Sequence, residues 1–147
     1  TDFSEVAIEK SSQRFPNVPN LTFKVLDISQ PLPFKEDEFD VVYARLSLHY
    51  FQDETTMKIF QEIHRFLKTN WVLCFMCKST NDPLYGKGEE IEKDIFLHDG
   101  HLRHFFSEEY VKTCLGKNFT VEKIETGREK FYGDQSAFIQ VIARAVK

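Results

Sequence analysis

The chain has 147 residues, the length of about one domain. Its 19 Lys and Arg against 23 Asp and Glu leave a formal charge of −4, which supplies no general pull toward nucleic acid or anionic lipid. Hydrophobic residues at 41 % and charged ones at 29 % make an ordinary globular mixture, and no apolar run approaches the ~20 residues needed to span a bilayer.

Residues 4–14 read as a helix, with Ser4 as N-cap, Glu5 at the positive end, and Val6, Ala7 and Ile8 opening an apolar surface. Pro16 and Pro19 end it, because neither can continue a helix. Residues 21–26 carry Leu21, Phe23, Val25 and Leu26 and read as a short strand that stops at Asp27. A polar loop with an apolar clip, Leu32-Pro33-Phe34, follows. The nearly unbroken apolar run over residues 39–48 suits a central strand covered on both faces. Asp53 stands where it would cap the next helix, along which Met57, Phe60, Ile63, His64 and Leu67 form an apolar stripe. Residues 71–77 read as a second buried strand. Its Cys74 and Cys77 fall on opposite faces, so they make neither a redox pair nor a shared metal site.

Residues 79–106 read as irregular and rich in His, Asp and Gly. Within them, His98-Asp99-Gly100-His101 and His104 have a spacing that would suit zinc on a helix, but Gly100 interrupts the helix, so no metal site is expected. Tyr85-Gly86-Lys87-Gly88 lacks the Gly-Lys-Ser/Thr ending of a phosphate loop. A helix over residues 107–115 is capped by Ser107 and ended by Gly116. Two closing strands, residues 119–125 and 137–145, are separated by a polar, Gly-containing loop; Tyr110, Arg128, Phe131 and Tyr132 are candidates for lining an acceptor pocket, with plain hairpin and helix packing the stronger reading for each. The odd count of three Cys, without framework spacing, and the lack of a leader-like start at Thr1 point to a reducing, cytoplasmic setting. Alternating helices and buried strands imply α/β layering in a single domain, residues 1–147.

Four segments in this order resemble class I S-adenosylmethionine-dependent methyltransferases. Thr1-Asp2-Phe3-Ser4 resembles the family's second-strand end "VDxS", and residues 26–34 resemble "DxxxLPF". Residues 39–50 resemble "FDxVxxxxxLHH", and residues 62–68 resemble "EIxRxLKPGG", here with Thr69-Asn70-Trp71 in place of Pro-Gly-Gly. Asn70 tolerates the left-handed conformation such a turn needs. The finer likeness is to small-molecule or tellurite-resistance-type enzymes.

The resemblance implies a Rossmann-like fold, mostly parallel with an antiparallel last strand, in spatial order third, second, first, fourth, fifth, seventh, sixth. It also implies that the chain is N-terminally incomplete, lacking the first strand, its glycine-rich turn and the first helix. The strand at residues 21–26 is then expected to pair with the strand at Val41, or to be completed by another copy of the chain or by further residues. S-adenosylmethionine is the implied cofactor. Asp2, followed by Phe3, would accept hydrogen bonds from the ribose hydroxyls. Asp27 and the backbone amide after it would read the adenine edge, with Ile28 packed on the ring. Ala44 and Arg45 would face the cofactor from the end of the central strand. His49, Tyr50 and Tyr85 are candidates for a small-molecule acceptor pocket. No nucleic acid or membrane partner is expected. Alternatives are a binding module that keeps only the fold, and a nucleotide-sugar or NAD enzyme on a related scaffold.

Overall fold

The computed structural model describes residues 1–131 and 133–147, so Tyr132 lies outside the described residues. The chain divides into two compact units, Thr1–Pro33 and Phe34–Lys147.

The first unit contains α1 (Glu5–Arg14). The Ser4 side chain accepts from the Ala7 backbone N–H, and Glu5 complements the helix dipole. None of its residues is fully buried, and Val6 is exposed. The expected strand over residues 21–26 is reduced to one parallel bridge, Asp2 to Val25. Leu26 N–H donates to the Asp2 carbonyl at 2.8 Å, and Asp2 N–H to the Lys24 carbonyl at 3.3 Å. Within the first unit its partner is Asp2. The reason is local: Pro19 and Asn20 precede it and the Asx turn at Asp27 follows it, which leaves few residues free to pair.

The second unit is built on a four-stranded sheet in the order β1-β2-β7-β6, formed by β1 (Phe39–Arg45), β2 (Leu67–Lys78), β6 (Phe119–Phe131) and β7 (Asp134–Ala145). β1 and β2 are parallel, whereas β2–β7 and β6–β7 are antiparallel. The order matches the expected fourth, fifth, seventh, sixth run. The sheet is mixed, however, and not mostly parallel. A hairpin of 13 and 12 residues inserts its second strand beside β2, so most of the ladder is antiparallel. Within that hairpin the Phe138 ring lies over Gly127, where a Cβ would meet it at 2.5 Å.

α2 (Asp53–Phe66) and α3 (Glu108–Leu115) both pack against this sheet and against each other. Leu73, Phe75 and Cys77 of β2 pair with Ala143, Val141 and Ile139 of β7, and all six are fully buried. The Phe60 ring of α2 meets Phe75 edge-on at 5.2 Å. The buried stripe of α2 is Thr56, Ile59, Phe60, Ile63 and Phe66, rotated from the expected one, with Leu67 already in β2. β1 is not covered on both faces: Val41 and Tyr43 are exposed and only Ala44 is buried. Its apolar run sits at an end of the four-stranded order, with a neighbouring strand in that sheet on one side. Cys74 is half-buried and Cys77 buried, on opposite faces of β2 as the alternation requires.

The segment read as irregular holds a second sheet, β3 (Glu89–Glu92), β4 (Ile95–His98) and β5 (His101–His104), in that order and antiparallel. Asp99 and Gly100 both have positive φ, 51° and 74°, and join β4 to β5 with His98 opposite His101. That is the two-residue hairpin turn for which Asp-Gly is suited. Among the described residues no helix is long and apolar enough to cross a membrane.

Candidate functional site

In the first unit, the parallel bridge sets Asp2 opposite Val25, so Asp2 and Asp27 leave neighbouring extended segments at the same end. Each carboxylate folds the chain after it. Asp2 Oδ1 accepts from Ser4 N–H at 2.9 Å, and Asp27 Oδ1 accepts from Ser29 N–H at 2.9 Å and Ser29 Oγ–H at 2.7 Å. The Ser29 hydroxyl, and next its amide, hold the Asp27 carboxyl below the ordinary aspartate range. Both acids are exposed, and their Oδ2 atoms have no hydrogen-bond partner among the described residues. Phe3 is 79 % exposed, and Ile28 is half-buried beside Asp27. The unit thus brings Asp2, Phe3, Asp27 and Ile28 to one end of a paired segment.

In the second unit, Ala44 is buried and Arg45 exposed, its guanidinium lying 5.1 Å from the Phe131 ring centroid. Leu46, just beyond the strand, holds φ 55° and donates its N–H to the Met76 carbonyl at 2.8 Å. A positive φ is unusual for a branched residue, and it turns the chain sharply at the carboxyl end of β1. His49 follows, fully buried, with neither ring nitrogen partnered. Burial chiefly, then the nearby Lys78 and Arg103, pushes its pKa down to about 3, so the ring is neutral. Tyr50 stays exposed, its ring centroid 4.4 Å from that of His49. Behind this loop Asp82 is buried. It pairs with Lys78 Nζ at 2.9 Å and accepts from Ala137 N–H at 2.9 Å and Leu84 N–H at 3.0 Å. Tyr85 Oη donates to Asp94 Oδ1 at 2.6 Å, which raises the phenol's pKa.

A cleft of about 420 Å³ lies between the first turns of α2 and α3 and the β3–β4 turn. Asp53, read from the sequence as a cap, does not cap α2. Gln52 is the N-cap and makes no side-chain bond, and the Asp53 carboxylate accepts from Tyr110 Oη at 2.6 Å. Glu92 Oε2 accepts the Asp53 N–H at 3.1 Å, and so serves the helix start from outside it. The sequence reading missed Glu92, Asp94 and Glu109 as cleft-lining residues. The Asp99-Gly100 dipeptide was the signal that could have pointed to Glu92 and Asp94, since it closes the hairpin next to the β3–β4 connection that carries them. Of the remaining sequence candidates, Arg128 is exposed and Phe131 half-buried.

Comparison with known proteins extends the picture. The family model for a methyltransferase domain matches residues 1–70. A SAM-dependent methyltransferase from Methanosarcina mazei superposes with a TM-score of 0.83 at 20 % identity, covering 99 % of this chain and 80 % of that one. The fold is a methyltransferase fold. The N-methyltransferase NodS from Bradyrhizobium japonicum, solved with S-adenosylhomocysteine, gives 0.67 at 16 % identity, over 99 % of this chain and 65 % of its own. The 1,6-didemethyltoxoflavin N1-methyltransferase of Burkholderia thailandensis, solved with its substrate and S-adenosylhomocysteine, gives 0.67 at 17 % identity, over 95 % and 56 %. No curated protein matches the sequence. Within the second unit the His49 loop leaves the carboxyl end of β1, the end at which α/β sheets bind ligands.

Proposed function

We propose that the chain belongs to a class I S-adenosylmethionine-dependent methyltransferase and transfers a methyl group to a small-molecule acceptor. The observation that carries this reading is the acidic pair. Asp2 and Asp27 end two paired segments on the same side, each with Oδ1 engaged by the local turn and Oδ2 without a hydrogen-bond partner among the described residues. That arrangement suits a group with hydroxyl and amine donors a few ångströms apart, as a ribose and an adenine present. Asp2 would hold the ribose hydroxyls, with Phe3 beside it, while Asp27, the Ile28 amide and the Ile28 side chain would hold the base. Ala44 and Arg45 would line the cofactor from β1, and His49, Tyr50 and Tyr85 the acceptor side. The three free thiols accord with a cytoplasmic setting.

The cofactor supplies a methyl already activated on a positive sulfur. The protein's task is then orientation, which can contribute ~7–11 kcal/mol to the rate, so a dedicated base is not required. The loop after β1 is held for this by the His49 carbonyl, which accepts the His104 N–H at 2.9 Å, and by the Leu46 N–H on the Met76 carbonyl. No observation favours a binding module that keeps only the fold.

Calorimetric titration with S-adenosylhomocysteine tests the reading. Binding is expected, weakened at least tenfold by Asp27→Asn. A folded chain that gives no heat with S-adenosylhomocysteine overturns it.

A further inference from the structure

Arg45 closes β1 at its carboxyl end, the end at which α/β sheets bind ligands. Its guanidinium lies over the Phe131 ring, 5.1 Å from the centroid. β1 and β6 stand at opposite ends of the four-stranded order, so about 14 Å of sheet separates them. The contact therefore passes over β2 and β7. In register, Arg45 stands opposite Met76 and Met76 opposite Gln140, and residues directly opposite share a face. Met76 and Gln140, both half-buried, thus belong to the face that the contact crosses.

The ring beneath the guanidinium is itself held. Phe131 lies 6.2 Å from Phe138, centroid to centroid, and the Phe138 ring packs on Gly127. Gly127, Phe138 and Phe131, each half-buried, make a row of contacts that ends on Arg45.

The cation is supported but unanswered. An aromatic face attracts a guanidinium, yet it accepts none of the in-plane hydrogen bonds that five N–H groups can make. Among the described residues Arg45 makes no ion pair and no hydrogen bond. Arg65 and Arg144, by contrast, each hold a glutamate, Glu62 and Glu122, and a backbone carbonyl as well. Glu125, in the same cross-strand row opposite Gln140, is already paired with Lys123 at 2.8 Å.

A guanidinium fixed by its face, with its fork free, suits a carboxylate, which takes two parallel charge-assisted hydrogen bonds. The apolar surface of Met76, Phe131 and Phe138 suits the carbon chain or ring that carries such a group. A phosphate, with more charge, calls for a second cation, and the next one along β2 on this face, Lys78, is held by Asp82 and Ser136.

We propose that Arg45, positioned by Phe131, binds a carboxylate of a ligand in the methyl-transfer site, which rests on the reading of the chain as a methyltransferase. Two ligands of such a site can bring that group: the cofactor, through its amino-acid end, and an acceptor that is itself a carboxylic acid. The chemistry at Arg45 is the same for both.

The test measures affinities of the full chain by calorimetry, with the Arg45 Nε–H resonance as local readout. S-adenosylhomocysteine carries the amino acid, and 5′-methylthioadenosine has the same adenosyl thioether without it. If the cofactor supplies the carboxylate, Arg45→Gln is expected to weaken S-adenosylhomocysteine at least tenfold and to leave 5′-methylthioadenosine within twofold. If the acceptor supplies it, benzoate is expected to bind and to move the Arg45 resonance. Benzamide is then expected to bind at least tenfold more weakly, and Arg45→Gln to abolish that difference. Arg45→Lys, which keeps the charge and loses the fork, is expected to weaken the same ligand at least threefold. Phe131→Leu is expected to do likewise while sparing 5′-methylthioadenosine, a split that a general loss of stability does not give.

The proposal is overturned if Arg45→Gln weakens both nucleosides alike, or if it alters neither their ratio nor the benzoate difference. It is also overturned if inorganic phosphate binds more tightly than benzoate. Benzoate is titrated with and without nucleoside. Should 5′-methylthioadenosine fail to bind, the adenosyl reading falls, while the benzoate titration still decides the role of Arg45.

Discussion

Tyr110 Oη donates to Asp53 Oδ1 at 2.6 Å, joining the first turns of two helices that are 57 residues apart in sequence. The bond spans α3 to α2 on the helix-covered side of the sheet, and burial together with the Asp53 carboxylate raises the phenol's pKa. Tyr110→Phe keeps the ring contacts with His104 and Phe106 and removes only the hydroxyl. The expected loss is about 1 kcal/mol, since Asp53 is exposed and water can replace the donor. Urea unfolding of Tyr110→Phe, Asp53→Asn and the double variant checks this, with coupling between the two sites as the signature.

Acid sensitivity follows from two buried histidines. His49 and His104 have folded pKa values lowered to about 3 and about 4, in both cases mainly by burial, against 6.5 when the chain is unfolded. Between those values the unfolded chain binds protons that the folded one refuses. The stability they support is complete above about pH 6.5 and is lost as pH falls toward 4, with each ring contributing a slope of ~1.4 kcal/mol per pH unit. Unfolding midpoints measured at pH 7, 6 and 5 are expected to drop steeply, and to drop less in His49→Phe, which removes two unpartnered nitrogens.

How far the sequence could be read depended on whether its signals were local. α1 and α3 were legible because Ser4 and Ser107 each cap a helix through an amide three residues on, and Gly116 ends the second. Asn70 takes the left-handed conformation expected of it, with φ 64°. Composition could not tell that β1 stands at an end of the four-stranded order with Val41 and Tyr43 exposed, because an apolar run carries no record of its neighbours. β3 to β5 were missed because Glu-rich and His-rich segments have low strand propensity, and the Asp99-Gly100 turn outweighed it. The cleft was illegible for the same reason: Asp53, Glu92 and Glu109 come from three separate elements.

Gly88 and Gly86 make a matched pair. Both have positive φ, 89° and 76°, yet a Cβ at Gly88 would stand 2.2 Å from the Leu97 carbonyl oxygen, whereas at Gly86 it meets nothing. Gly86→Ala is expected to cost only the left-handed backbone, about 1–2 kcal/mol. Gly88→Ala adds a clash with backbone that cannot swing away, and is expected to cost about 3 kcal/mol or more. Thermal melts of the two variants distinguish them, and equal losses would contradict the close approach of the residue 88 backbone to β4.

The last expectation separates the charge of Asp27 from its orientation. Ser29 supplies both bonds to Asp27 Oδ1, and its hydroxyl is the larger cause of the lowered carboxyl pKa. Ser29→Ala removes the hydroxyl bond and keeps the amide one, so the Asp27 pKa is expected to rise toward the ordinary aspartate value, followed by ¹³C carboxyl shifts against pH. The turn persists through the Ser29 amide, and Oδ2 keeps no competing partner among the described residues, so S-adenosylhomocysteine binding should weaken only two- to threefold at pH 7. Asp27→Asn removes the charge that strengthens each accepted bond, a difference of about 1.5 kcal/mol or a little over tenfold in affinity. If Ser29→Ala weakens binding as much as Asp27→Asn, the carboxylate acts only by shaping the turn and the adenine contact assigned to it is wrong. If neither variant changes binding while Asp2→Asn does, the ribose end of the pair holds the ligand alone.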